Sequence, residues 1–148
     1  MALEDVLHNE VAVPGLVHWG RKLSVPILIQ IKDREKMSVD DHVFEALAAL
    51  KESAGAEAVA RRLGDFFNHE MAVAALRQMG PAAEDALIEI APSNDSKASL
   101  AAVELLGDVG TPNSYDLLRK AMKSSNREVK EAAKRSLKKI REREKAAM

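Results

Sequence analysis

The chain has 148 residues, of which 47% are hydrophobic and 30% charged, a balance that suits a globular rather than a disordered chain and supports one well-buried domain. It contains no cysteine, so disulfides, zinc–thiolate sites and cysteine nucleophiles are ruled out. The formal net charge of −1 hides an asymmetry: residues 119–148 hold 12 basic and 4 acidic side chains, residues 1–118 hold 10 and 19.

Met1 to Asp5 lack the basic and apolar regions of a signal peptide. The most apolar stretch, residues 25–31, falls far short of a bilayer span, so the expectation is a cytoplasmic chain with no membrane contact. Residues 4–20 carry Val6, Leu7, Leu16, Val17 and Trp19 and suit a first helix that Pro14 and Gly15 break or kink. Residues 25–36 suit its return helix. Trp19 is expected to cap this divergent first unit, residues 1–37.

From Ser38 onward the pattern becomes regular. Leu50, Met79, Val109 and Ile140 follow one another at steps of 29, 30 and 31 residues. Three residues before each stands Leu47, Leu76, Leu106 or Leu137; seven before stands Val43, Ala72, Ala102 or Ala133. Spacings of three and four place each trio on one helical face. A buried face reused at a period near 30 is the mark of stacked helical hairpins. The expected fold is therefore all-α: a short right-handed α-solenoid of about four to five hairpins in a single domain. Repeats fill residues 38–125, and residues 126–145 form a C-terminal capping helix.

The turns carry their own markers. Ser38 and Ser125 each stand three residues before an acid, as in a capping box. Ser53, Ala54 and Gly55 are expected to form the first hairpin turn, and residues 56–67 the helix after it. Gly80-Pro81 and Gly110-Thr111-Pro112 place glycine at the end of one helix and proline at the start of the next, with Thr111 as an N-cap. The second helices of these hairpins are expected over residues 81–91 and 112–123. Pro92 to Ser96 form a polar turn. Phe66 and Phe67 are expected in the core by default, one filling the seam between repeats, with exposure of the other as a partner anchor the alternative. The last helix has a narrow apolar stripe and is otherwise charged, as an uncovered end face requires.

Ala101, Ala102, Leu106, Gly107, Val109, Gly110 and Pro112 together resemble the HEAT-like repeat of phycobilisome-lyase-type proteins. Met71 to Pro81 and Val129 to Ile140 match the same pattern, and residues 42–50 match it more weakly. The resemblance covers about residues 38–140. It implies an α-α superhelix, in a family whose members include scaffolds, lyases, hydroxylases and DNA-repair proteins. It does not select among those roles.

His69-Glu70 resembles the His-Glu dipeptides with which deoxyhypusine hydroxylase, another HEAT-repeat protein, holds iron. Such a centre needs ligands converging from several repeats. The equivalent positions here are Ser99-Leu100 and Lys130-Glu131, and His8-Asn9-Glu10 is out of register. His69 and Glu70 therefore remain weak metal candidates, and no metal or other cofactor is expected. The four histidines, His42 among them, show no ligand spacing, and no phosphate-binding loop or nucleophile motif occurs.

The expected function is non-catalytic: a protein-binding or scaffold module whose second helices present a shallow concave face. Arg61, Arg62, Asp65, Glu89, Arg119 and Lys123 are its candidate binding residues. A nucleic-acid partner is the alternative, through Lys32, Arg61, Arg62, Arg119, Lys120, Lys123 and the last helix. It is disfavoured, because Asp65, Glu84, Asp85, Glu89 and Asp116 interrupt the basic track and only Tyr115 could stack on a base. The chain also reads as a possible part of a longer solenoid.

Overall fold

The computed structural model describes residues 41–51 and 53–148. The readings made of residues 1–40, including Trp19, Lys32, Ser38 and the divergent first unit, lie outside them. Seven α-helices occupy the described chain: α1 (Asp41–Leu50), α2 (Ser53–Ala60), α3 (His69–Met79), α4 (Glu84–Ile90), α5 (Ser96–Val109), α6 (Tyr115–Ala121) and α7 (Arg127–Ala147). Short 3₁₀ turns, Gly80–Ala83 and Pro112–Ser114, lead into α4 and α6. No strand occurs among the described residues.

The helices pack as the repeated face requires. α1 lies on α3, α3 on α5, and α5 on α7, while α2 packs on α4 and each second helix touches the first helix that follows. The anchors Met79, Val109 and Ile140, the leucines Leu47, Leu76, Leu106 and Leu137, and the alanines Ala72, Ala102 and Ala133 are all buried in one continuous core. Small side chains set the closest approach. A Cβ on Gly107 would lie 2.6 Å from Ser136 Oγ and 2.8 Å from its Cα, so α5 and α7 cross nearly backbone to backbone. Ser136 Oγ donates to Val103 O across that crossing at 2.8 Å.

Several helix ends fall where expected, each with a physical reason. Gly80 adopts φ +64°, a conformation that side chains resist, and terminates α3. Thr111 Oγ1 accepts from Asn113 N–H at 3.3 Å as the N-cap before α6. Asp95 caps α5 by accepting from Lys97 and Ala98 N–H at 3.0 and 3.1 Å.

Four expectations are corrected. Ser53, Ala54 and Gly55 are not the first turn but the start of α2; the chain reverses before them, where Lys51 takes φ 50°. Gly55 is instead a packing position, its would-be Cβ 3.3 Å from Leu47 Cδ2. The cap of α7 is Asn126, whose side chain accepts from Glu128 and Val129 N–H at 2.9 and 3.4 Å, rather than Ser125. α2 stops at Ala60 instead of reaching Phe67. Bonds from Arg62 N–H to Val59 O, Leu63 N–H to Ala60 O and Asp65 N–H to Arg62 O tighten the chain into successive turns that bury Leu63. Phe66 and Phe67 are consequently carried off the helix and out of the core.

Candidate interaction surface

The early end of α2 reshapes the predicted site. Arg61, Arg62 and Asp65 stand on the turns after α2, not on a second helix. Arg62 Nη1 donates to Asp65 Oδ2 at 3.1 Å, and Asn68 Nδ2 donates to the same oxygen at 3.3 Å, so this turn is held by its own polar groups. Lys97, arriving from the start of α5, donates to Asp65 O at 3.5 Å. Its ammonium also lies 5.7 Å from the centre of the Phe66 ring.

Phe66 and Phe67 project from this braced turn, 83% and 76% exposed, their rings edge to face at 5.2 Å between centroids. Apart from the terminal Met148, they are the exposed large hydrophobic side chains among the described residues. The reading of them as core overlooked a local signal: Gly64-Asp65 before them and Asn68 after them form a turn signature that a continuing helix would not carry.

The other candidates lie elsewhere. Glu89 is exposed on α4, and Lys123 is exposed in the turn beyond α6. Arg119, on α6, faces Asp116 at 3.6 Å across an exposed pair. Of the six candidates, an ion pair joins only Arg62 and Asp65. Glu84, counted from sequence among the acids of the concave face, is in fact buried. It accepts from Thr111 N–H at 2.8 Å, from Thr111 Oγ1 at 2.8 and 3.0 Å, and from Ser114 Oγ at 2.6 Å. Its carboxylate ties the start of one second helix to the start of the next, a structural role that removes it from the surface.

His69 Nδ1 donates to Leu63 O at 2.7 Å, which commits that nitrogen to the turn; Glu70 beside it is exposed. No group of three metal-ligating side chains forms among the described residues.

The last helices are tied by charge. Asp108 receives Lys139 Nζ at 2.8 Å and Arg77 Nε at 3.2 Å, joining α3, α5 and α7 through one carboxylate. Arg135 reaches Glu104 at 3.3 Å. Arg143 donates to Gly107 O and, at 2.7 Å, to Gly110 O, covering carbonyls left open at the end of α5.

Residues 84–148 match the family model of HEAT repeats. The match takes in α4 to α7, where Glu84 and the buried Gly107–Ser136 crossing lie. Searches of curated proteins and of solved structures returned no match. HEAT repeats generally mediate protein–protein interaction. No helix among the described residues is long and apolar enough to cross a membrane.

Proposed function

We propose that the chain is a non-catalytic, cytoplasmic protein-interaction module, and that its anchor is the braced turn bearing Phe66 and Phe67. The observation that carries this reading is the exposure of two adjacent aromatic rings on a turn braced by the hydrogen bonds of Arg62 and Asn68 to Asp65. Exposed aromatics on a rigid support lose little freedom on binding and supply most of the energy of an interface. Arg61 beside them, with Glu89, Arg119 and Lys123 further along the second helices, provides the polar surround.

In this reading the molecule is a single-domain right-handed α-solenoid of about four to five hairpins, with a divergent first unit over residues 1–37, repeats over 38–125 and a capping helix over 126–145. The packing of first helix on first helix supports it. The phycobilisome-lyase-type pattern of small residues and glycines is the subtype it resembles.

Affinity capture with the full chain provides the test. Phe66→Ala/Phe67→Ala is expected to weaken partner retention by about 2 kcal/mol or more, roughly thirtyfold. Its urea midpoint should stay close to that of the parent, because both rings are exposed. Unchanged retention would sink the assignment of the anchor. Charge reversal at Arg61, Glu89 and Arg119 examines the polar surround; if retention is indifferent to it, the second-helix surface has no part in binding.

A further inference from the structure

We infer that the outer face of α7 is a docking track for the phosphate backbone of duplex DNA. Arg127, Lys130, Lys134, Lys138, Arg141 and Lys145 follow one another at steps of three and four residues and are all exposed. On a helix that spacing makes a single stripe, about 27 Å long at 1.5 Å rise per residue. The apolar stripe, Val129, Ala132, Ala133, Leu137 and Ile140, is turned into the core, so the cations face away from it.

Of the four acids of α7, Glu128 in the first turn is exposed without an ion pair among the described residues, and the other three are engaged, two of them by lysines of the stripe itself. Glu131 pairs with Lys134 at 2.9 Å, Glu142 with Lys138 at 3.8 Å, and Glu144 accepts from Tyr115. Arg127, Lys130 and Lys145 have no ion pair among the described residues. Arg141 lies over the Tyr115 ring at 5.9 Å, and Arg119 follows Tyr115 by one turn of α6, extending the basic surface onto the neighbouring helix.

A capping face must be polar but need not carry one sign. Like charges three and four residues apart destabilise a helix, and this stripe sets five such neighbours in a row. A polyanion laid along it would relieve that repulsion. The chemistry of the face favours nucleic acid over protein. From Arg127 to Lys145 every exposed position is charged and there is no apolar centre, whereas protein interfaces have one and protein–DNA interfaces are more polar and far more basic. Residues 119–148 contain no aromatic, and the one ring beside the track, Tyr115, is bonded to Glu144 and has Arg141 over it, which leaves unpaired bases no free ring to stack on and favours a duplex over a single strand. Residues 41–118 carry 5 basic against 13 acidic side chains, so the rest of the described surface repels DNA and confines contact to this end.

Fluorescence anisotropy of the full chain with a DNA duplex of roughly 20 base pairs tests the assignment. At about 50 mM salt a complex should form, and log K should fall against log salt with a slope of about −4 to −5, as expected for some five phosphates neutralised. Lys130→Gln/Lys134→Gln/Lys138→Gln should reduce affinity at least about tenfold and make the slope shallower by about 2.7. Circular dichroism verifies its helix content, and Arg127→Gln/Lys145→Gln provides a second variant that leaves the intrahelical ion pairs intact. Phe66→Ala/Phe67→Ala should bind DNA like the parent, which separates this surface from the aromatic anchor. No complex at low salt, undiminished binding by both lysine and arginine variants, or equal binding of polyglutamate would each overturn the proposal.

Discussion

Tyr115 is the sole tyrosine of the chain, and its hydroxyl donates to Glu144 Oε2. That hydrogen bond, with burial and the carboxylate charge behind it, raises the phenol above its ordinary 10.0, against the opposing pull of Arg141 and Arg119. A raised folded value means the contribution is complete below pH 10 and is lost as pH climbs through the raised value. Phenolate absorbance is therefore expected to appear above pH 10 in the parent and to move back toward 10 in Glu144→Gln. An unshifted titration in that variant would show the contact to be absent in solution. Residues of this kind are hard to read in advance. Tyr115 and Glu144 are far apart along the chain, and nothing local to either announces the other. Glu84 was similarly hidden, because an acid in a first helical turn ordinarily answers the helix dipole. Only the approach of Thr111 and Ser114 gives its burial a reason.

Among the elements, α5 and α7 form the closest pair, and Gly107 is why. Replacing a helical glycine by alanine ordinarily gains about 1 kcal/mol in propensity. Here the added Cβ would press against backbone, 2.8 Å from Ser136 Cα, and overpacking of that sort costs about 1–3 kcal/mol. Parting the helices would also stretch the Ser136–Val103 hydrogen bond. Gly107→Ala is therefore expected to lower the urea midpoint, and Ser136→Ala added to it should leave most of the loss in place because the Cα remains. A rise in the midpoint would contradict the close crossing. The first helices and their hairpin turns were largely legible, since burial repeats along the chain and glycine–proline pairs punctuate it. The end of α2 was not, because the choice between continuing the helix and tightening into turns is made by Leu63 reaching the core.

At the scale of the molecule, charge stitches together what apolar periodicity stacks. Burial pushes the Asp108 carboxyl up, but the hydrogen bond and charge of Lys139, together with Arg77, outweigh it and hold the group below its ordinary 3.8. A depressed folded value contributes stability above pH 3.8 that is lost as pH falls through the lowered value. Asp108→Asn should therefore be less stable than the parent at pH 7, by on the order of 1 kcal/mol given the exposed cations. That deficit should close below pH 3.8; a pH-independent deficit would assign the loss to packing instead. The apolar period told which helices stack, yet the charged residues at the same interval read as solvated surface until the faces were seen to meet. This ladder also bears on how the chain finds its fold. Its ties join residues 27 to 36 positions apart, whether through Glu84 and Thr111, Arg77 and Asp108, or Arg143 and Gly107. Each rung therefore closes a loop of nearly the same length at nearly the same entropic cost. No long-range contact has to wait for another, so ordering can begin at any pair of neighbouring repeats and spread outward in both directions.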